Sequence, residues 1–127
     1  MQHATLIVLL ALLQYLYFIA RVGAARGKYN VQAPATDGNE IFVRTFRVQQ
    51  NTLEQLVVFI PSAYAFSFYV SDLWVLIPGV VYLVGRFLYS MAYVKNPGSR
   101  AIGFGMTMLA NAAMLLTALV FLLMKMF

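Results

Sequence analysis

The sequence of 127 residues contains no cysteine, a single histidine and only four acidic residues. Without cysteine, the chain cannot form disulfide bonds, thiolate metal sites or a cysteine nucleophile. The one histidine, His3, lies near the N-terminus, which argues against a histidine metal site and against a Ser-His proton relay. We therefore expect no metal, and any thiol chemistry has to come from a bound small molecule.

Charge is also scarce, since charged residues make up 10% of the sequence and hydrophobic residues make up 62%. A soluble domain carries about 25% charged residues. This composition predicts an integral membrane protein with a single domain over residues 1–127. The net charge of +5 is too small and too scattered for a nucleic-acid-binding surface.

Long apolar stretches dominate what is present, and each approaches the ~20 residues that cross the hydrocarbon of a bilayer. They predict four spans, at about residues 4–22, 41–68, 73–94 and 100–126. Pro61 predicts a kink in the second span, because proline cannot donate to the carbonyl four residues earlier. Trp74 is expected at the membrane interface, and Ser99 is expected to cap the fourth helix. The predicted fold class is an all-α, four-helix transmembrane bundle.

The first stretch could instead be a cleaved signal peptide, with Gly23-Ala24-Ala25 as the cleavage site. Signal peptides carry positive charge before the apolar stretch. Here Arg21 and Lys28 follow it, so we expect a retained first span. Basic residues are concentrated around loops one and three, and the positive-inside rule places these loops in the cytoplasm and both termini outside.

One polar face interrupts the second span, between Arg44 and Glu54. At ~100° per residue, Arg47, Asn51 and Glu54 fall within about 60° of arc. Ionisable residues on one face of a membrane helix indicate a functional site. The alternative is an internal salt bridge between Arg47 and Glu54.

A second polar face lies on the third span and consists of Tyr82, Arg86, Tyr89 and Tyr93, which also cluster within about 60°. Arg100 begins the fourth span, where the helix N-terminus adds partial positive charge. This excess of arginine, with tyrosine hydroxyls and a single carboxylate, predicts a small anionic ligand that carries one ammonium group.

The fourth span carries a stripe of small or short residues spaced four apart, which predicts close helix packing. The stripe consists of Ser99, Gly103, Thr107 and Asn111.

The segments Arg47-Val-Gln-Gln-Asn-Thr-Leu-Glu54 and Val81-Tyr-Leu-Val-Gly-Arg-Phe-Leu-Tyr-Ser-Met-Ala-Tyr93 resemble the second- and third-helix signatures of the MAPEG family, the membrane-associated proteins in eicosanoid and glutathione metabolism. The likeness covers nearly the whole chain, with Arg26 and Arg100 also in place. It implies a homotrimer with glutathione as co-substrate, bound at subunit interfaces near the cytoplasmic face. The activity implied is that of a membrane glutathione transferase or peroxidase acting on lipophilic electrophiles or lipid hydroperoxides.

The resemblance also implies roles for individual residues. Arg100 matches the catalytic arginine that holds the thiolate. Arg26 and Gln49 match glutathione-binding positions contributed by the neighbouring subunit. The positions matching glutathione ligands within one subunit are Arg47, Asn51, Glu54, Arg86, Tyr89 and Tyr93. Arg44 has no match and is expected to anchor to lipid headgroups.

Two departures argue against leukotriene synthesis, since Gly27 and Gln55 stand where leukotriene C synthase has an arginine and a tyrosine. Two other functions stay open at this point. A four-span cation exporter would need a carboxylate in the first span, which has only Gln14. A lipid-binding, non-catalytic member of the same family is the second. The short chain favours a bacterial inner membrane over the endoplasmic reticulum.

Overall fold

The computed structural model describes all 127 residues and consists of helices, without any strand. The helices are α1 (Gln2–Tyr29), α2 (Glu40–Tyr69), α3 (Leu76–Lys95) and α4 (Ala101–Met126), with a 3₁₀ turn at Pro97–Ser99 before α4. Helices α1, α3 and α4 are long and apolar enough to cross a membrane. The chain is therefore a multi-pass integral membrane protein with an all-α bundle fold.

The second helix, α2, is the longest at 30 residues but does not reach the apolarity of the other three, because it carries the polar face between Arg44 and Glu54. It packs against each of the other helices, as α3 also does. Its helix continues through Pro61. Neighbouring helices cover Thr52 and part of Asn51, whereas Arg47 and Glu54 are exposed at the surface of a single chain.

The helices run alternately up and down, as the contacts at the two ends of the bundle show. At one end, the Arg44 guanidinium donates to the carbonyl of Val94, so the start of α2 meets the end of α3. At the other end, Asp72 in the second loop accepts from the backbone of His3 and Ala4 at the start of α1. Loops one and three thus share one end, and the termini share the other with loop two.

The main core lies between the helices and is built from small and aromatic side chains, among which the rings of Phe59 and Tyr82 stack with centroids 4.0 Å apart. Large apolar residues such as Leu9, Leu13 and Leu16 point outward and are exposed. Apolar side chains on the outside are expected of a bundle whose outer surface faces lipid.

Helices α3 and α4 touch through their backbones at Gly85 and Gly103. A Cβ atom on Gly103 would lie 2.6 Å from the Gly85 carbonyl oxygen, and closer still to the backbone nitrogen of Tyr89. The close packing predicted from the stripe of small residues is confirmed at this position.

Two predictions about helix ends are wrong. Ser99 does not cap α4; its hydroxyl donates to the carbonyls of Ala92 and Asn96, and Asn96 caps the 3₁₀ turn instead. Arg44 is held in a protein contact at the end of α3 and pairs with Glu40. The last carbonyls of a helix have no intrahelical donor, and a nearby cation satisfies them.

Candidate functional site

Arg86 is the centre of the polar cluster and is fully buried, at 0% exposure. Its Nε donates to the Thr107 hydroxyl at 3.0 Å, and Nη1 donates to the Asn51 side-chain oxygen at 2.7 Å. A longer bond of 3.3 Å joins Nη1 to the Thr52 hydroxyl. Side chains from α2 and α4 therefore fix the guanidinium of α3 in one orientation.

No carboxylate neutralises this buried cation, because the ion pairs of the chain involve only Asp72 and Glu40. The Nη2 atom of Arg86 has no hydrogen-bond partner in the chain. The guanidinium lies 4.4 Å from the centroid of the Tyr89 ring, a cation–π contact that compensates the charge only in part. A charge at the centre of a membrane helix costs roughly 2.5–3.5 kcal/mol even on insertion scales. The bundle therefore holds a buried cation, Arg86, whose Nη2 atom has no hydrogen-bond partner.

The tyrosines predicted for the site lie beside Arg86. The rings of Tyr89 and Tyr93 stack with centroids 5.5 Å apart. The Tyr89 ring also lies 6.3 Å from the Phe104 ring in the first turn of α4. The predicted juxtaposition of the faces on α2 and α3 with the start of α4 is present in the fold.

Arg47 and Glu54 are exposed, and neither forms an ion pair within the chain. The internal salt bridge considered from the sequence is absent. Both residues share the α2 face of Asn51, which is already bonded to Arg86. One cation and one carboxylate are therefore presented, unpaired, beside the buried guanidinium.

Arg100 immediately precedes α4 and is exposed. Its Nη1 donates to the carbonyl of Pro97 at 3.1 Å, within the turn that leads into the helix. The unpaired N–H groups at the start of α4 add partial positive charge at the same place. Such an arrangement favours an anion close to Arg100.

Two predicted ligands lie away from this cluster. Arg26 donates to the carbonyl of Ala35 at 2.7 Å and stacks over the Phe42 ring at 5.0 Å. Gln49 donates to the Tyr15 hydroxyl at 2.9 Å. Neither meets Arg86 within one chain, and their contribution to a neighbouring subunit's site stays a prediction.

Sequence reasoning missed that Thr52 and Thr107 are partners of Arg86. Thr107 was interpreted only as part of the packing stripe of α4. No local signal identifies this contact, because the Thr107 hydroxyl also donates to the Gly103 carbonyl within α4, and its meeting with Arg86 depends on the register between α3 and α4. Further along α4, Asn111 donates to the side-chain oxygen of Gln55 at 3.0 Å, so the amide at position 55 is also engaged.

A groove of about 410 Å³ lies near the opposite end, between residues that include Phe66, Trp74 and Ala113. None of its lining residues is ionisable. This groove therefore offers no counter-charge to an anion, and the cluster around Arg86 is the stronger candidate.

Comparison with known proteins agrees with the geometry. A sequence profile of the MAPEG family matches residues 4–120. An uncharacterized protein of Synechocystis sp. is 43% identical over 114 residues, which cover 90% of this chain and 83% of that protein. Microsomal glutathione S-transferase 2 of Homo sapiens is 36% identical over 100 residues, 79% of this chain and 68% of that protein. Leukotriene C4 synthase of Rattus norvegicus is 29% identical over 94 residues, 74% and 63% of the two chains.

Proposed function

The chain belongs to the MAPEG family, and from this premise we propose that it is a membrane-bound glutathione transferase, with glutathione peroxidase activity, that activates glutathione as a thiolate. The similarity to microsomal glutathione S-transferase 2 supports glutathione as the co-substrate. The activity class, the site residues and the homotrimer are all part of this proposal.

The observation that carries the proposal is the buried, uncompensated guanidinium of Arg86, which keeps Nη2 free. Glutathione has two carboxylates and one ammonium, a charge pattern that matches an excess of arginine with one carboxylate. Arg86 and Arg47 bind the carboxylates in this proposal, and Glu54 binds the ammonium. Asn51, Tyr89 and Tyr93 complete the polar lining.

The face of Arg47 and Glu54 is open at the surface of a single chain. In the proposed homotrimer, a neighbouring subunit covers this face and contributes its Arg26 and Gln49. Arg26 lies at the end of the bundle that carries loop one, where it donates to Ala35, and Gln49 lies deeper, beside Tyr15 of α1. Each trimer then has three glutathione sites at its subunit interfaces.

Arg100 is the proposed catalytic residue. A free thiol has a pKa of ~8.5, so only a few per cent is thiolate near neutral pH. An arginine together with a helix N-terminus stabilises the anionic sulfur and lowers the pKa of the bound thiol. The protein thus contributes charge and orientation, and glutathione contributes the nucleophile that a chain without cysteine lacks.

Two reactions follow from an activated sulfur. In conjugation, the thiolate attacks an electrophilic carbon, and the leaving group departs with its bonding electrons. In peroxide reduction, the thiolate attacks one peroxide oxygen and the O–O bond breaks, which gives an alcohol and an oxidised sulfur that a second glutathione reduces. Both kinds of lipophilic substrate reach the site from the bilayer.

We favour detoxification over leukotriene synthesis, because Gly27 and Gln55 replace two residues of leukotriene C synthase and Gln55 is already bonded to Asn111. The distribution of basic residues supports loops one and three on the cytoplasmic side, and we favour a bacterial inner membrane.

Thiolate absorbance in the ultraviolet, recorded as glutathione is added to the purified protein, tests the proposal. An increase that saturates is expected, followed by turnover of at least one of an aryl halide, a lipid hydroperoxide and an epoxide. Absence of both the thiolate signal and any turnover would overturn the enzyme assignment in favour of a lipid-binding member of the family.

A further inference from the structure

A second site lies away from the Arg86 cluster, along the seam between α1 and α3. We propose that this seam, here called the α1–α3 groove, binds one anionic phospholipid. Its apolar part is about 270 Å³ and is lined by residues that include Leu13, Tyr17 and Phe87. Its basic part is about 250 Å³ and is lined by α1, with Arg21 and Lys28, by Ile41 and Thr45 of α2, and by Val94 at the end of α3.

The two parts follow one another along the same face of α1. The Tyr17 ring lies 6.2 Å from the Phe87 ring, at the boundary of the apolar part. The Arg21 guanidinium lies 5.9 Å from the centroid of the same Tyr17 ring and lines the basic part. From Leu10 to Arg21, the helix rises about 16 Å. An acyl chain therefore lies along the apolar part when the headgroup occupies the basic part.

The basic part faces away from the proposed glutathione site. Arg21 and Lys28 are seven residues apart, so they fall within about 20° of each other around α1. Arg26 is rotated by about 140° from Arg21 and instead contacts Phe42 and Ala35. The two basic residues of the groove are therefore separate from the arginine assigned to glutathione.

The charge of the basic part is not compensated within the chain. Arg21 and Lys28 form no ion pair. Arg21 lies 5.9 Å from the centroid of the Tyr17 ring, and Lys28 lies 5.4 Å from that of the Tyr29 ring. The nearby carboxylate of Glu40 is already paired with Arg44. Two free cations at the end of a membrane helix, directly above an apolar groove, match a phosphodiester headgroup with its acyl chain.

Neither a free phosphate nor a zwitterionic lipid fits as well. Inorganic phosphate has no group for the apolar part, and phosphatidylcholine brings its own cation to the two basic residues. Each basic residue near an anionic lipid surface contributes about 1 kcal/mol, or about a fivefold change in binding. Two such residues predict about a 25-fold preference for phosphatidylglycerol over phosphatidylcholine.

Native mass spectrometry of the delipidated protein in detergent, titrated with phosphatidylglycerol or phosphatidylcholine of identical acyl chains, measures this preference. We expect Arg21→Gln and Lys28→Gln each to reduce it about fivefold. Lys125→Gln is the matched control, because it removes one charge at the opposite end of the bundle, and we expect less than about a twofold change. Glutathione binding should be the same in all three variants.

A second variant tests the groove without changing charge. Ala24 lines the basic part and is exposed, so Ala24→Phe fills the groove while the fold is retained. It should remove the lipid preference while Arg21 and Lys28 are still present.

Four results would overturn the proposal. The first is equal binding of the two lipids by the unaltered protein. The second is a Lys125→Gln effect as large as that of Arg21→Gln, which would indicate a general surface field. The third is displacement of the lipid by inorganic phosphate at similar concentrations. The fourth is an Ala24→Phe variant that dissociates the oligomer but keeps its lipid preference, which would make this face a subunit interface.

Discussion

The two ends of the bundle differ in how far their charged side chains are paired within the protein. At the end formed by loop two, the Asp72 carboxylate accepts hydrogen bonds from the Ser67 hydroxyl, the His3 ring and the backbone of His3 and Ala4. At the end formed by loops one and three, Arg47, Glu54 and Arg100 have no ion-pair partner. The first end thus holds a carboxylate that is fully engaged by protein, whereas the second end holds, besides the Arg44–Glu40 pair, several charges without an ion-pair partner.

This difference separates a structural role from a ligand-binding role. Asp72 caps the start of α1, whose first N–H groups have no partner within the helix. Its contacts join segments that are distant in sequence, so Asp72 stabilises the fold. Arg86 also joins α2, α3 and α4, but no carboxylate neutralises it, and its exposed neighbours Arg47 and Glu54 form no ion pair within the chain. Charges without counter-charges in a membrane helix indicate a functional site.

The largest expected effect comes from Arg86→Met, which replaces the buried cation by an apolar side chain of similar length. Thr52 and Thr107 keep hydrogen bonds to backbone carbonyls within their own helices, so only Asn51 loses its partner. We expect glutathione affinity to fall at least about 100-fold, as for loss of a charge-assisted bond and its ion pair. Thermal unfolding without glutathione should change little.

Isothermal titration with glutathione and a thermal melt of the same sample check this pair of outcomes. If the variant unfolds, and glutathione binding falls only in proportion to the loss of folded protein, Arg86 has a structural role like that of Asp72. The contrast between the two ends would then be lost.

Arg100→Ala should reduce turnover about 100-fold, because one donor is removed from the developing anionic sulfur. The KM for glutathione should change less than about threefold, since Arg100 acts on sulfur and the other residues bind the carboxylates. Steady-state kinetics with an aryl halide separate the two constants. Equal losses in turnover and affinity would show that Arg100 only holds the turn at Pro97.

Glu54→Gln removes a charge but keeps the shape of the side chain. We expect glutathione affinity to fall about tenfold, because a hydrogen bond between charged groups is worth about 1.5–3 kcal/mol. Turnover at saturating glutathione should be unaltered. The control is titration with an analogue of glutathione that lacks the ammonium. The variant and the unaltered protein should bind this analogue with equal affinity.

Asp72→Asn should have the smallest effect, and on stability alone. Hydrogen bonds from Ser67 and His3 hold the pKa of Asp72 below its usual value of 3.8. A lowered pKa in the folded state means that the carboxylate stabilises the fold above the ordinary pKa and loses this contribution as the pH falls below about 4. The variant should therefore melt at a lower temperature near neutral pH, with a difference that shrinks in acid.

Thermal melts of Asp72→Asn between pH 3 and pH 7, beside glutathione titrations at neutral pH, check this prediction. A change in glutathione affinity would contradict the division of the molecule into a structural end and a ligand-binding end.

The number and order of the helices and the convergence of Arg86, Tyr89 and Asn51 could be predicted from the sequence, because both depend on helical periodicity and on alternating direction. The ends of the helices could not. Apolarity falls after residue 22, yet α1 continues to Tyr29, since the helix itself is not limited to the hydrocarbon. The contact between Arg44 and the end of α3 joins residues 50 positions apart, which no local pattern encodes.

Helical periodicity also could not predict that Thr107 on α4 is a partner of Arg86. A threonine on a stripe of small residues indicates close packing, but which donor meets its hydroxyl depends on the register between α3 and α4. That register follows from the backbone contact of Gly103 with Gly85.

The backbone contact at Gly103 also affects how the protein can change over time. Because two backbones meet directly, the spacing between Arg100 and the Arg86 cluster does not depend on the size of any lipid-facing side chain. The outer surface is then free to diverge with the thickness and composition of the host membrane, while the end that carries Arg86 and Arg100 keeps its dimensions. A single alanine at Gly103 would remove this independence, since its methyl group has no space between the helices.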